Sequence, residues 1–347
     1  MPQADSPATN QRSLEVVRCG FGRVPVLVVG DLILDRYAWG EVTRISPEAP
    51  VPVVRWQRQT EQLGGAANVA ANLTSLGAQV TVAGFVGADA EGLQLLQLLS
   101  ALPAATECVL RLTERPTTTK TRVIGGHQQM LRLDREDDRP ASAHDQARLL
   151  DAVAQVIETK PTAVILSDYA KGVIGEPVTK AVIHHARRLG IPVFVDPKGR
   201  DYSKYRGATA LTPNRGELAL ACGGPSEPVE ELLRSGAKLR QDLDLGFIAV
   251  TRGEEGITLI EPGAVSHVPA VAQKVFDVSG AGDTVIATLT AGIAAGLSRL
   301  EAIHLANLAA GIVVGKVGTV PVDRAGLLEV LKAEATRGPQ FSVISFQ

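Results

Sequence analysis

The segment Asp277-Val278-Ser279-Gly280-Ala281-Gly282-Asp283-Thr284 leads directly into a run of small and apolar residues, Val285 to Gly296, that predicts a helix. Its glycines allow the backbone to turn tightly and to approach a ligand, and the first turn of a helix carries unpaired N–H groups that attract anions. A phosphate group would fit there. Phosphates alone would repel the carboxylate of Asp283, so its presence indicates a proton acceptor for an attacking hydroxyl. The segment therefore predicts a kinase with Asp283 as its general base.

The same segment also has simpler explanations. A Gly-Ala-Gly sequence before a helix is a common strand-to-helix turn, and Asp283 could be an acid that the helix dipole favours at an N-terminus. A second glycine-rich segment favours the functional interpretation. Gly64-Gly65-Ala66-Ala67-Asn68-Val69-Ala70 again opens a predicted helix, and Gly77 is placed to end that helix.

Together, the two segments resemble the paired signatures of the PfkB, or ribokinase-like, family of sugar kinases. Further segments resemble the nucleotide side of that family, in the same order, namely Val195-Asp196-Pro197-Lys198, Asn214-Arg215-Gly216-Glu217 and Thr251-Arg252-Gly253. The resemblance covers about residues 24 to 331 and implies ATP and Mg²⁺ as cofactors. It implies a kinase domain at residues 24–335, after a partly disordered N-terminal extension at 1–23 and before a C-terminal tail at 336–347.

The resemblance assigns further roles within the first segment. The backbone N–H groups of Gly280, Ala281 and Gly282 would hold the charge that develops on the transferred phosphate. Asp277 would support the loop. The family usually has Thr where this chain has Ser279, a difference that keeps the hydroxyl.

The resemblance also implies a set of nucleotide-side residues, which are Lys198, Asn214, Glu217, Thr251, Arg252, Gly253 and Asn307. Glu217 is expected to serve Mg²⁺, directly or through water, because Mg²⁺ accepts few carboxylates when phosphates and waters complete its shell. The spacing of Asn214 and Glu217 equally fits a helix-capping arrangement. Arg252 could be a solvated arginine. Asn307 and Lys316 lie on or after the last long predicted helix, where the family builds its adenine pocket.

On the sugar side, the resemblance implies that Asp31, Asp35, Gly64, Gly65 and Asn68 bind vicinal hydroxyls. Asp31 directly follows the apolar strand pattern Val26 to Val29, at the strand end where open α/β sheets bind ligands. A strand-end aspartate could instead cap the next turn.

Basic residues in the same regions suggest a substrate that is already phosphorylated, because a neutral sugar needs no cations. Each of them alone could be an ordinary solvated side chain. The set comprises Arg44, Lys120, Arg122, Arg132, Lys171 and Lys198.

A finer resemblance, to the heptose-7-phosphate kinase branch of the family, adds Asp168 and Lys171 to the expected substrate-binding residues. It rests on Gly30-Asp31, Asp35-Arg36-Tyr37, Arg44 to Val53, Thr119 to Arg122 and Ser167 to Gly172. Enzymes of this branch phosphorylate the anomeric hydroxyl of D-glycero-β-D-manno-heptose 7-phosphate, on the path to ADP-heptose and the lipopolysaccharide core. Some relatives carry a second, nucleotidyltransferase domain. This chain contains no H-x-G-H segment, so only the kinase step is expected of it.

Strand-like runs alternate with helical patterns along the chain, which predicts an α/β fold with a mainly parallel sheet. The resemblance makes this a ribokinase-like three-layer α/β/α sandwich. Predicted helices cover 66–76, 90–100, 176–189, 282–296 and 300–315, and predicted strands cover 79–86, 162–167, 192–195, 208–211 and 247–251.

Two stretches break this alternation, residues 37–59 and 109–134. In the second, Gly125-Gly126-His127 predicts a hairpin turn between two strands. The resemblance implies that these stretches form a small β lid that closes over the sugar. A lid strand is also an exposed edge, so pairing with a second copy into a homodimer would protect it from aggregation.

Composition excludes several classes of function. The chain has 347 residues and a net charge of −2 with acids and bases interspersed, which argues against nucleic acid as a partner. No apolar run approaches the length of a membrane span, and residues 1–13 lack an apolar leader. We therefore expect a cytoplasmic location and no membrane as a partner. The cysteines, Cys19, Cys108 and Cys222, are too far apart to suggest a disulfide framework or a zinc site.

Two alternatives to a heptose phosphate kinase stay open. One is another sugar kinase of the same family, acting on fructose phosphate or a neutral sugar. The other is a catalytically silent sugar or nucleotide sensor on the same fold, which ATP turnover would distinguish from a kinase.

Overall fold

The computed structural model of the chain describes residues 6–126, 128–271, 275–335 and 342–344. Its helices there are α1 (Ser6–Arg18), α2 (Ala66–Leu76), α3 (Ala90–Ser100), α4 (Ala143–Glu158), α5 (Glu176–Arg188), α6 (Arg215–Cys222), α7 (Val229–Asp242), α8 (Ala281–Ala294), α9 (Arg299–Val313) and α10 (Arg324–Ala335). Its strands are β1 (Pro25–Gly30), β2 (Leu32–Ile45), β3 (Pro52–Gly65), β4 (Gln79–Gly87), β5 (Ala104–Leu112), β6 (Thr118–Gly125), β7 (Gln128–Arg135), β8 (Ala163–Ser167), β9 (Val193–Asp196), β10 (Ala210–Leu211), β11 (Phe247–Thr251), β12 (Ile257–Glu261), β13 (Ala264–Val268) and β14 (Ser342–Ile344).

The large sheet of the described chain has the strand order β14-β13-β12-β11-β10-β9-β8-β1-β4-β5. Its centre is parallel, since β1 pairs in parallel with both β4 and β8. At one edge, β12, β13 and β14 pair antiparallel. The central strands β1 and β8 are apolar and buried almost throughout, as expected for parallel strands that are covered on both faces.

Helices cover both faces of this sheet. Successive residues of a strand point to opposite faces, so Val28 packs into the core formed with α2, α8 and α9, and Val29 packs into the core formed with α4, α5 and α7. The result is a three-layer α/β/α sandwich with a mainly parallel sheet, and the predicted fold class is confirmed.

A second, smaller sheet has the strand order β3-β2-β6-β7 and forms the lid. In its register, Asp35 of β2 lies opposite Gln62 of β3 and opposite Lys120 of β6, and Lys120 lies opposite Asp134 of β7. The predicted hairpin is present, since β6 and β7 pair antiparallel on either side of Gly126. His127, the last residue of the predicted turn, lies outside the described residues.

The boundaries of the lid differ from the predicted ones. Residues 109–112, which were expected in the lid, belong to β5 and pair with β4 in the large sheet. This strand packs against α3 and α4, which draws it into the main core. Conversely, β2 begins before the predicted stretch at 37–59, at Leu32, and β3 ends after it, at Gly65.

The region before residue 24 was expected to be partly disordered, yet from Ser6 onward it contains α1, which packs against α9 and α10. Val17 and Phe21 are fully buried there, so this region contributes to the core. In the C-terminal tail, residues 342–344 form β14, which pairs with β13. No helix in the described part of the chain combines the length and the apolar character needed to cross a bilayer.

Candidate active site

Asp283 is the centre of the candidate site and lies in the first turn of α8, with 1% of its surface exposed. Its Oδ2 accepts a hydrogen bond from Nδ2 of Asn68 at 2.8 Å. Its Oδ1 accepts one from the hydroxyl of Tyr169, also at 2.8 Å. Three segments that are far apart in sequence, α2, the loop after β8 and α8, therefore meet at one carboxylate.

The surroundings of Asp283 adjust its proton affinity to neutral pH. Burial raises the pKa of Asp283 to about 7, and the nearby charge of Asp35 adds to this effect. The hydrogen bonds from Asn68 and Tyr169 and the charge of Lys120 act in the opposite direction. A carboxylate with a pKa near the working pH is suited to accept a proton from a hydroxyl.

Gly280 is the N-cap residue of α8 and has a φ of +77°, in the left-handed region. A Cβ atom at this position would lie 2.6 Å from Nδ2 of Asn68, the donor to Asp283. Glycine is required here both for the turn and for the close approach of the two helix starts.

The loop before α8 is tied down by Asp277, as expected. Its Oδ1 accepts from the backbone N–H of Ser279 at 2.9 Å. Its Oδ2 accepts from the N–H of Gly318, also at 2.9 Å. The backbone N–H groups of Gly280, Ala281 and Gly282 are thus held in place beside Asp283.

On the lid side, Asp35 is buried and forms an ion pair with Arg122 across the register of β2 and β6. A Cβ atom on Gly64 would collide with Oδ2 of Asp35, so this glycine lets the carboxylate sit against β3. Gly65 is the N-cap residue of α2, three positions before Asn68. The structure thus brings the second glycine-rich segment to the site together with Asp35.

Lys120 is the lid cation whose charge acts on Asp283, in the direction that lowers the pKa of this carboxyl. Its Nζ lies over the ring of Tyr169, 5.8 Å from the ring centroid. In the described part of the chain Lys120 forms no ion pair, which leaves its charge available to a ligand.

The other predicted cations are engaged elsewhere. Arg132 lies opposite Arg122 in the lid, is half exposed and forms a bidentate ion pair with Asp134. Lys171 forms an ion pair with Glu136 at 2.7 Å. Arg44 is exposed at the far end of β2. The cations predicted to converge are therefore brought together only in part.

Asp31 and Asp168 have structural contacts that differ from their predicted role in binding sugar. The buried carboxylate of Asp31 accepts the backbone N–H groups of Tyr169, Lys171 and Val173 at 2.8 to 3.1 Å. Asp168 is fully buried and binds Nζ of Lys204, the hydroxyl of Tyr205 and the N–H of Ala170. Both carboxylates hold the loop after β8, which is the arrangement expected if Asp31 caps a turn.

A cavity of about 420 Å³ lies on the other side of the Gly280–Gly282 turn. Ala281 and Gly282 form part of its wall, so it opens directly onto the turn. Most of the remaining wall is apolar and suits a planar base, with Thr251, Gly253, Ile257, Val278, Val285, Asn307, Ala310, Gly311 and Val314 among its lining residues. Thr251, Gly253 and Asn307, which were predicted on the nucleotide side, line this one cavity, whereas Lys316 is exposed and does not line it.

Asn214 and Glu217 form a capping box at the start of α6, which is the arrangement that the spacing left open. Oε1 of Glu217 also accepts from Nζ of Lys198 at 2.6 Å. Arg252 does not line the cavity; its guanidinium pairs with Glu255 and donates to Thr258. The three residues Lys198, Asn214 and Glu217 form one cluster at the nucleotide side, and Arg252 is separate from it.

No group of three or more His, Cys, Asp or Glu side chains that could hold a metal ion occurs among residues 6–126, 128–271, 275–335 and 342–344. The three cysteines are free.

A comparison with known protein families matches the part of the chain that contains this site. The model of the pfkB family carbohydrate kinase matches residues 25–324. The chain belongs to the pfkB family of carbohydrate kinases. It is an ATP-dependent sugar kinase, and the family predicted from the two glycine-rich segments is confirmed.

Two curated relatives of this pfkB kinase are similar over most of the chain. The bifunctional protein HldE of Methylobacillus flagellatus is 55% identical over 323 residues, which cover 92% of this chain and 66% of that protein. The bifunctional protein HldE of Magnetococcus marinus is 54% identical over 326 residues, which cover 93% of this chain and 67% of that protein. The chain therefore spans about two thirds of the length of these relatives.

The fold of this pfkB kinase is also found in solved structures. Arabidopsis thaliana ribokinase complexed with ribose and ATP superimposes with a TM-score of 0.71 at 24% identity, covering 89% of this chain and 99% of that chain. At this level of identity the likeness shows a shared fold.

Two residues near the base of this pfkB kinase were given no role by the sequence. Tyr169 donates to Asp283, and Asp196, at the end of β9, interacts electrostatically with Asp283. Both lie in segments that carry the family resemblance, Ser167 to Gly172 and Val195 to Lys198. Their position was a second signal, since both follow parallel strands and the carboxyl ends of such strands meet at one edge of a sheet.

Proposed function

We propose that the chain transfers the γ-phosphoryl group of ATP to the anomeric hydroxyl of D-glycero-β-D-manno-heptose 7-phosphate. The observation that carries this proposal is the position of Asp283. This buried base lies at the Gly280–Gly282 turn, between an apolar cavity of about 420 Å³ and the lid that carries Lys120. A nucleotide in the cavity and a sugar under the lid would meet at the base.

The reaction then follows from the contacts of the base. The ionised carboxylate of Asp283 accepts the proton of the sugar hydroxyl as the hydroxyl oxygen forms its bond to the γ-phosphorus. The bond between the γ-phosphorus and the bridging oxygen breaks, and ADP leaves. The N–H groups of Gly280 and Gly282 donate to the phosphoryl oxygens while this charge shifts. The N–H of Ala281, which donates to the carbonyl of Val278 at 3.2 Å, joins them when that contact opens.

Mg²⁺ is part of this proposal, since it neutralises phosphate charge in phosphoryl transfer. Glu217 offers one carboxylate, and that carboxylate already accepts hydrogen bonds from Lys198 and from the backbone N–H of Asn214. This donor set fits an ion held mainly by phosphates and waters, with Glu217 binding one of the waters.

The lid supports a phosphorylated acceptor. Asp35 pairs with Arg122, whereas Lys120, whose charge reaches Asp283, forms no ion pair in the described chain, although the charges of Asp134, Asp35 and Glu136 also act on it. The segments that resemble the heptose-7-phosphate kinase branch surround this lysine, and the similarity to proteins named bifunctional protein HldE covers 92% of the chain. Both support the heptose phosphate over a neutral sugar.

A homodimer through the lid belongs to the same proposal. Apolar side chains that are at least half exposed lie on or beside the lid strands, namely Ile45, Val51, Trp56, Leu131 and Leu133. Covering them with a second copy would remove apolar surface from water. Sedimentation of Leu133→Asp, compared with the unchanged chain, tests this contact.

A cytoplasmic location is supported by the free cysteines and by the use of ATP.

The decisive experiment measures ADP release with Mg·ATP and each of four acceptors, heptose 7-phosphate, fructose 6-phosphate, ribose and fructose. Asp283→Asn serves as the control, and its ATP binding is measured separately. Rapid turnover on the heptose phosphate alone is the expected result. Preference for another acceptor would replace the substrate but keep the kinase. Near-normal turnover by Asp283→Asn would refute the role of the base, and no turnover on any acceptor would favour a sensor.

A further inference from the structure

Tyr169 makes a contact with the base that the proposed reaction does not yet use. We infer that Tyr169 is a positioning residue whose hydroxyl holds the carboxylate of Asp283 in the orientation and charge state that a base requires. This inference rests on the proposed function, because it concerns the same proton transfer. It assigns Tyr169 no contact with the substrate.

The first argument is the geometry at the carboxylate. Oδ1 of Asp283 accepts from Tyr169 and Oδ2 accepts from Asn68, each at 2.8 Å. One donor on each oxygen fixes both the rotation and the tilt of the carboxylate plane. Each oxygen still keeps lone-pair capacity, so the carboxylate can receive a substrate proton without losing either contact.

The second argument is that Tyr169 is itself held in place. The backbone N–H of Tyr169 donates to Oδ2 of Asp31 at 2.8 Å, and the N–H groups of Lys171 and Val173 donate to the same carboxylate. Asp31 is 1% exposed and directly follows β1, at the centre of the sheet. The backbone of Tyr169 is therefore anchored to a buried carboxylate at the centre of the sheet, which holds its phenol in place.

The third argument is the direction of the hydrogen bond. Burial raises the pKa of the Tyr169 phenol well above its usual range, and the charge of Asp283 acts in the same direction. The phenol thus stays protonated and can only donate to the ionised carboxylate. A donor that binds the ionised form favours that form, so removing the hydroxyl raises the pKa of Asp283.

Other charged groups also face Asp283 and set the background for this effect. Asp35 on β2 raises the pKa of Asp283, whereas Lys120 on β6 lowers it. Asp196 at the end of β9 interacts with Asp283 as well: burial raises the pKa of Asp196, and the charge of Asp283 acts in the same direction. None of these groups changes in Tyr169→Phe, so a change in the pKa of Asp283 in that variant results from the loss of the Tyr169 hydroxyl.

The test measures the pKa of Asp283 directly, by the ¹³C carboxyl resonance of selectively labelled aspartate, assigned by its loss in Asp283→Asn. Tyr169→Phe is compared with Tyr202→Phe, a buried tyrosine whose hydroxyl has no hydrogen-bond partner among the described residues. We expect the pKa of Asp283 to rise by about one unit in Tyr169→Phe and to stay unchanged in Tyr202→Phe. An unchanged pKa in Tyr169→Phe would overturn the inference, as would an equal rise in both variants.

The titration of Asp283 also applies if Tyr169→Phe does not fold or if the protein shows no turnover. If Tyr169→Phe does not fold, 3-fluorotyrosine at position 169 replaces it. Its hydroxyl is the stronger donor, so the pKa of Asp283 should fall, and a rise or no change would count against the inference. Because the titration needs no substrate, it is independent of turnover. A failure of the proposed function would appear only in the ADP-release assay. Where turnover is present, the acid limb of kcat/KM should move with the titration.

Discussion

Nδ2 of Asn68 donates to Oδ2 of Asp283 at 2.8 Å, although 215 positions separate the two residues in the chain. The contact joins the first turn of α2 to the first turn of α8. A second contact reinforces it, since Oγ1 of Thr284 donates to Oδ1 of Asn72 at 3.0 Å. The two glycine-rich segments are thus two halves of one site, in which Gly280 makes room for Asn68 and Gly64 makes room for Asp35.

The pH dependence of turnover follows from the buried base. With a pKa of about 7, Asp283 is ionised above neutral pH and protonated below it. We expect kcat/KM to be level near pH 8 and to fall about tenfold per pH unit well below pH 7. Residual activity of Asp283→Asn should lack this limb, and a limb of the same shape in that variant would assign it to another group.

Stability should depend on pH in the opposite sense. Because the pKa of Asp283 rises from 3.8 to about 7 on folding, the folded state binds more protons between these values. Its stability therefore falls as pH rises through this window. Asp283→Asn removes the effect, so its free energy of unfolding relative to the unchanged chain should increase between pH 5 and pH 8, by about 1–4 kcal/mol. Urea titrations at both pH values test this, and an equal difference at each pH would contradict it.

The two glycines of the catalytic turn should respond differently to alanine. Gly280 has a φ of +77° and a Cβ there would lie 2.6 Å from Nδ2 of Asn68, whereas a Cβ on Gly282 would have its nearest contact at 4.0 Å. Gly280→Ala should lose about 1–3 kcal/mol of unfolding free energy. Gly282→Ala, inside a helix, should change it by less than about 1 kcal/mol. Equal losses would show that the turn does not need glycine at position 280.

Substitution of two lid cations, Lys120 and Arg132, should affect the KM for the phosphorylated sugar to different degrees. The charge of Lys120 reaches Asp283 and Lys120 forms no ion pair in the described chain, while Arg132 is half exposed and paired with Asp134. Lys120→Met should raise the KM for the phosphorylated sugar about 10- to 100-fold and leave the KM for ATP unchanged. Arg132→Met should change either constant by less than about threefold. Steady-state kinetics with each substrate varied in turn distinguish these outcomes.

Much of the fold could be predicted from local pattern. The predicted helices at 66–76 and 90–100 coincide with α2 and α3, because apolar spacing and end-capping residues act within a few turns. The lid boundaries were less predictable. β5 is only partly buried along most of its length, as the lid strands are, and only its pairing with β4 assigns it to the large sheet.

The candidate site divides in the same way. The sequence alone determined the glycine-rich turn, Asp283 as the candidate base and the membership of a kinase family, because these depend on short segments whose chemistry is local. Only the tertiary structure decided that Asp31 and Asp168 hold a loop, that Lys120 faces the base while Arg132 does not, and that Tyr169 donates to Asp283. Which donor meets which acceptor depends on how distant strand ends converge at one edge of the sheet, and spacing along the chain does not encode that distance.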